Sequence, residues 1–244
     1  MGITTSRRLA EATSCWLHYE YICQRAGLFD ESALKSAVGQ VLSSFVIDKP
    51  SRAWSNIPHP ALGQNSGSGR KAEIDFVLAE LNGSEMGNIR IAVETKWADS
   101  THCSPEKIIY DIFRLAMLDN YLNSINIAAE CIFLIAGTKS SIKELIQKTP
   151  FYGKNKISLK QGYTQKIKGD IFDTSKQGAW SKYFDKTASA SAKKAVIESG
   201  FPNITISFSP GLPLIDLQRS TQRVVYDHSV KFYAMAWSVK GNLS

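Results

Sequence analysis

Two short stretches, AEIDFVLAE at 72–80 and IRIAVETKW at 89–97, constrain the fold of this chain more than any other feature, because each alternates like a strand yet carries charge near its centre. Both are rich in Ile, Val and Phe, and a period of two over such a length reads as a half-buried strand. In the first, Ile74, Phe76 and Leu78 share one face and Glu73, Asp75 and Val77 the other. In the second, Ile91, Val93 and Thr95 share a face, and Glu94 and Lys96 point together to the opposite side. The intervening LNGSEMGN at 81–88 has the Gly and Asn of a short loop between antiparallel neighbours. This pairing predicts that Asp75, Glu94 and Lys96 converge on one spot.

Acidic residues are depleted from strands, and a buried charge without a partner costs several kcal/mol, roughly, even after relaxation. Two adjacent carboxylates raise each other's pKa unless a cation lies between them, and hard oxygen donors with open water positions suit Mg²⁺ or Mn²⁺. Lys96 alone offsets one of the two charges, which leaves room for a metal ion. The alternative is a surface hairpin whose outer face carries Glu73, Asp75, Glu94 and Lys96 as solvated charges in a cross-strand ion pair.

An Asp on one strand followed by Glu-x-Lys on the next, here Asp75 and Glu94-Thr95-Lys96, resembles the signature of the PD-(D/E)XK nuclease superfamily, with Ile74 where the family pattern has a proline. The resemblance implies an α/β restriction-endonuclease-like fold, a mixed sheet in the order αβββαβ flanked by helices. It also implies Mg²⁺-dependent (or Mn²⁺-dependent) hydrolysis of phosphodiester bonds in DNA, with RNA left open. In that scheme Asp75, Glu94 and the Thr95 carbonyl hold the metal, and Lys96 positions or activates water. A further carboxylate from the first helix implicates Glu20 ahead of Glu11.

The remaining pattern agrees with that order. Residues 6–26 read as a helix capped by Ser6, with Leu9, Trp16, Tyr19 and Cys23 on its inner stripe. Residues 31–45 read as a second helix, with an edge strand near 51–57. SPEKIIYDIFRLAMLDNYLN at 104–123 is a long amphipathic helix with Ser104 as N-cap and Pro105 at its first position. ECIFLIAG at 130–137 is a continuous apolar run, as for a strand buried inside a sheet. A short helix near 140–148, a helix at 188–199, and strands at 203–208, 223–226 and 230–239 follow, the last two as a hairpin turning at Asp227 and His228. The expectation is one domain over 1–244, with a catalytic core to about residue 150 and a basic segment and C-terminal β extension beyond it.

Charge is unevenly spread. Of the net +7, residues 139–194 hold thirteen lysines against four acidic residues, so the rest of the chain is slightly acidic. These lysines alternate with Phe151, Tyr152, Tyr163, Phe172, Trp180, Tyr183 and Phe184, a composition suited to following a phosphate backbone. None is Arg, so the segment offers point charges rather than forks that read base edges. Lys154, Lys156, Lys166 and Lys168 are the nucleic-acid contacts expected from it. Arg70 and Lys71 in the Gly/Ser loop GQNSGSGRK at 63–71 are expected to join them, and Arg114, four residues after Tyr110 on the long helix, is expected either to touch the scissile phosphate or to support the site from behind.

Other classes fit less well. Cys15, Cys23, Cys103 and Cys131 are scattered, and His18, His59, His102 and His228 lack ligand spacing, which argues against a zinc site or disulfide framework. The Gly/Ser loop lacks the GKS or GKT of a phosphate-binding P-loop. No run of 18 apolar residues and no signal-peptide core is present, so the expectation is a cytoplasmic protein with no membrane partner and a plausible homodimer. The rival functions are a nucleic-acid-binding module that does not cut and an interaction protein with no nucleic-acid affinity.

Overall fold

The computed structural model describes residues 4–45, 47–62, 72–148, 164–168, 200–210 and 231–242, together with residues 184, 193, 194, 196 and 198. These form an α/β structure around one mixed seven-stranded sheet. In chain order the elements are α1 (Thr5–Ile22), α2 (Glu31–Ser43), β1 (Ser51–Pro58), β2 (Glu73–Asn82), β3 (Glu85–Trp97), α3 (Pro105–Ser124), β4 (Glu130–Thr138), α4 (Lys139–Lys148), β5 (Thr164–Ile167), β6 (Asn203–Pro210) and β7 (Phe232–Asn242). The strands lie in the order β1-β2-β3-β4-β7-β6-β5.

Strands β1, β2 and β3 form an antiparallel meander, and α3 carries the chain across so that β4 runs parallel to β3. β4 is buried along nearly its whole length, as its unbroken apolar sequence requires of a strand covered on both faces. One face of the sheet packs under α1 and α2 through Leu9, Leu17, Leu34 and Leu42 against Phe76, Val93, Leu134 and Ala236. The other packs under α3 and α4 through Ile112, Phe113 and Ile142 against Val77, Ala92, Phe133 and Trp237.

Helix ends follow local chemistry. The Ser104 hydroxyl accepts from the Lys107 N–H and Pro105 opens α3. For α1 the cap is Thr4, whose hydroxyl accepts from the Arg7 N–H, and not Ser6. Ser6 is instead buried and bonded to Ser209 on β6 at 3.0 Å. The helix also stops at Ile22, short of residue 26, where Gln24 turns left-handed at φ 59°. Its inner face is Leu9, Ala10, Thr13, Ser14 and Leu17, and Tyr19 is 61% exposed, so the stripe expected through Tyr19 and Cys23 is out of phase. Small polar residues were overlooked as core: Ser14 Oγ accepts from the Ala234 N–H at 2.8 Å and holds α1 against β7.

The C-terminal strands continue the sheet rather than append to it. β7 lies between β4 and β6, so both of its edges are taken from Met235 to Val239 and it is a central strand. Residues 223–226 and the expected turn at Asp227 and His228 lie outside the described residues, as does most of the basic segment. Within that segment β5 pairs with β6, and residues 193, 194, 196 and 198 are helical.

The close fit of β7 under α3 depends on Gly241. A Cβ there would run into the Ala116 carbonyl oxygen, and the Gly241 N–H donates to Asp119 at 2.9 Å. Since backbone is the obstacle, Gly241→Ala is expected to lower unfolding free energy by about 1–3 kcal/mol, the usual cost of overpacking. Urea denaturation measures this, and a shift within the error of the wild-type curve would show that the two elements separate freely.

Candidate active site

The site forms where β2 and β3 part company. Their pairing runs from Asn82 opposite Glu85 to Phe76 opposite Val93, with register shifts on either side of Ala79, and beyond Phe76 a side chain takes over from the ladder. Asp75 Oδ2 accepts from the Thr95 N–H at 2.8 Å and from the Thr95 hydroxyl at 2.9 Å. On its other side β2 is also irregular: Asn56 of β1 adopts φ 52°, and the register passes from Ser55 opposite Phe76 to Ile57 opposite Ile74. Asp75 is therefore held where the β2–β3 pairing ends and opposite the left-handed Asn56, with its carboxylate on Thr95 and turned toward α2, whereas Glu94 and Lys96 turn toward α3, so the single face expected for Asp75, Glu94 and Lys96 is corrected.

Helices bring further charges to the same place. Lys35 of α2 reaches Asp75 Oδ1 at 2.7 Å and Glu31 at 3.5 Å. Lys96 Nζ lies 2.7 Å from Asp111 Oδ2 on α3 and donates to the Thr95 carbonyl at 3.3 Å. Arg114, one turn further along α3, lies 3.0 Å from Glu94 Oε1 and 3.3 Å from Asp111 Oδ1, and also donates to the Glu73 carbonyl. Four carboxylates, Asp75, Glu31, Glu94 and Asp111, thus meet three cations. Lys96 is not the sole cation beside Asp75 and Glu94: Lys35 pairs with Asp75 and Arg114 with Glu94, because the helices on both faces of the sheet each lend a cation, so the charge expected to be left for a metal ion is partly met by the chain itself.

The electrostatics of the two central carboxylates differ. Burial raises the carboxyl pKa of Asp75, but the hydrogen bond and charge of Lys35, the Thr95 N–H and the charge of Lys96 outweigh it, so the carboxyl is held below its usual range. Glu94 is 2% exposed, and burial pushes its carboxyl well above the usual range. Arg114 and Lys96 oppose that shift, and the negative charges of Asp111 and Asp75 add to it. For Lys96 burial favours the neutral amine, but Asp111, Glu94 and Asp75 more than reverse this and keep it an ammonium.

The other expected residues are distributed differently. Glu20 sits at the end of α1 in a pair with Arg25, Nη2 to Oε1 2.8 Å, and Glu11 pairs with Arg7 at 2.8 Å; neither is brought to Asp75. The helical carboxylate linked to the site is Glu31, through Lys35. Arg114 has a side chain 13% exposed and engaged with Glu94, Asp111 and the Glu73 carbonyl, so it braces the site from inside rather than facing a phosphate. Lys166 and Lys168 are exposed at β5, four strands from β3, about 19 Å away at normal strand spacing. Arg70, Lys71, Lys154 and Lys156 lie outside the described residues.

His59, which carried no assigned role, supports Arg114. Its Nε2–H donates to the Arg114 carbonyl at 2.9 Å, and burial, with the Arg114 charge, depresses its pKa to about 3. An unfolded histidine takes up its proton near 6.5, roughly, so the unfolded chain binds a proton that the folded chain refuses between those values. Stability is therefore full above the unfolded value and falls as pH drops from about 6.5 toward 3, by on the order of a few kcal/mol. Urea titrations across that range are expected to show this loss in the wild type and much less of it in His59→Gln, which keeps an amide donor. Equal pH dependence in the two proteins would contradict it.

The donor set fits a hard divalent cation. Asp75, Glu94 and the Thr95 carbonyl are oxygen donors from adjoining positions, and Mg²⁺ is commonly held by one or two carboxylates with water completing its shell. Burial disfavours the ionised Glu94 carboxyl despite Arg114, and a divalent cation beside it would favour that form. Among the described residues no group of three or more His, Cys, Asp or Glu side chains is placed to hold a metal ion. No helix among the described residues is long and apolar enough to cross a membrane. Comparison with family models, curated proteins and solved structures finds no match to this chain.

Proposed function

We propose that this protein is a divalent-metal-dependent nuclease that hydrolyses phosphodiester bonds in DNA. The observation that carries the reading is the meeting of Asp75 with Glu94-Thr95-Lys96 at the splayed end of β2 and β3. The chain order supports it: helices, a three-stranded meander, a crossover helix and a parallel strand reproduce the αβββαβ order of the restriction-endonuclease-like fold that the sequence resembles.

Asp75, Glu94 and the Thr95 carbonyl are the groups that would hold Mg²⁺ or Mn²⁺, with Glu31 rather than Glu20 as the helical carboxylate nearby. Such an ion, when bound, polarises a phosphoryl oxygen and acidifies water. Lys96 remains an ammonium, so it orients water and offsets negative charge growing on the phosphoryl oxygens by donating, and does not accept a proton. Asp111 fixes the position of Lys96, and Arg114 fixes Glu94. Lys35, with a third of its side chain exposed, is the cation on Asp75 able to swing away and meet an incoming phosphate.

The test is incubation of supercoiled plasmid with purified protein in Mg²⁺ or Mn²⁺ and in excess chelator. Cleavage that depends on the metal supports the proposal. The pairing of Asp75 with Lys35, Glu94 with Arg114 and Asp111 with Lys96 favours a second reading, a scaffold that binds nucleic acid and leaves it intact. Plasmid bound but uncut in both metals would select that one.

A further inference from the structure

A groove of about 620 Å³ opens beside Asp75, between the outer face of α2 and the strands β1 and β2. Its size is in the range of small-ligand sites, ~300–1,000 Å³. Lys35 and Asp75 stand at one end. Beyond them the helix contributes Ser36, Gln40 and Ser43, and the edge strand contributes Ser55 and Asn56, all exposed and none charged. Gly39 keeps the helix low over the floor, since a Cβ there would come within 3.2 Å of the Phe76 ring. Gln40 Nε2 donates to Ser36 at 3.3 Å, and the left-handed turn at Asn56 sets that residue beside the break in the ladder next to Asp75.

This lining is unsuited to a run of phosphates, which would need cations along its length. It suits the uncharged part of a nucleotide. Carboxamides can both donate to and accept from a base edge, the pattern by which Asn and Gln read bases. Small serines leave room for a planar ring, and unpaired bases are the form in which such edges become reachable. We propose that the groove is a base-reading subsite. It holds the nucleobase adjoining the phosphate that sits at Asp75, in an unpaired stretch of the substrate strand, with Gln40 and Asn56 contacting its edge. The proposal rests on the nuclease reading for its orientation and gives that site a sequence preference which the lysine-rich segment could not supply.

The experiment compares binding of fluorescent single-stranded oligonucleotides composed of A, C or T alone, without metal, by the wild type and by Gln40→Ala/Asn56→Gly. Glycine keeps the left-handed backbone at position 56. The wild type is expected to separate its best from its worst oligonucleotide by about tenfold in affinity, and the double variant to shrink that spread to about twofold. Folding of the variant is checked by its urea midpoint. Equal binding of all three by the wild type, no binding of any, or an unchanged spread in a folded variant would overturn the subsite. Should the spread vanish as expected in a protein that never cuts plasmid in Mg²⁺ or Mn²⁺, the subsite stands and the nuclease reading fails.

Discussion

Replacing Asp75 by asparagine is expected to reduce metal-dependent cleavage by about 10²–10³-fold, the usual scale for removing one group that stabilises charge in a transition state. The substitution is nearly isosteric, and the amide oxygen can still accept from the Thr95 N–H and hydroxyl that anchor the carboxylate now. The fold at the splayed strand ends should survive. What disappears is the negative charge that Lys35 faces at 2.7 Å and that a divalent ion would share with Glu94. The measurement is the initial rate of plasmid nicking, set beside DNA affinity in the absence of metal. A rate within a few-fold of wild type would remove Asp75 from the chemistry.

The second large effect concerns stability. Arg114→Ala is expected to lower the unfolding free energy by about 3–5 kcal/mol, the range seen when one partner of a buried ion pair is removed. Glu94, which is 2% exposed, loses its cation, Asp111 keeps only Lys96 of its two, and the Glu73 carbonyl loses the Arg114 donor. Neutralising Glu94 should recover part of the loss, so Arg114→Ala/Glu94→Gln is expected to be more stable than the sum of the single variants predicts. Glu94→Gln alone should cost little stability, because burial already disfavours the ionised carboxyl there. It should nonetheless abolish metal-dependent cleavage, separating what the residue does for activity from what it does for the fold. Urea denaturation of the four proteins tests this, and an Arg114→Ala curve within about 0.5 kcal/mol of wild type, the range of an ordinary surface change, would contradict the bracing role.

Much of the scaffold was legible because its signals are local. Alternation identified β2 and β3, the unbroken apolar run identified β4, and Ser104 with Pro105 marked the start of α3. Strand parity and a short connection brought Asp75 next to Thr95, but not onto one face with Glu94 and Lys96: Asp75 turns to Lys35 of α2, and Glu94 and Lys96 turn to Arg114 and Asp111 of α3. The cations that complete the site were not legible in the same way. Lys35 and Arg114 lie on helices that pack on opposite faces of the sheet, and whether a helical lysine or arginine points to a strand end depends on packing angle rather than on spacing. Spacing alone therefore leaves Arg114 open between a phosphate contact and a support of the site, and packing makes it an internal brace. Glu20 was favoured because Tyr19 looked like core, and the phase of α1 turned on small residues, Ala10, Thr13 and Ser14, that carry weak hydrophobic signal. The C-terminal strands were legible as strands. Their insertion beside β4 was not, since nothing in the alternation of β7 says which neighbours it pairs with.

The central claim is that Asp75 and Glu94 share a divalent ion, and a Mn²⁺ titration followed by electron paramagnetic resonance tests it without requiring turnover. The wild type is expected to take up Mn²⁺ stoichiometrically, with Mg²⁺ competing for the same position and with binding lost in both Asp75→Asn and Glu94→Gln. Mn²⁺ binding that is absent from the wild type, or unchanged in the two variants, would contradict the account.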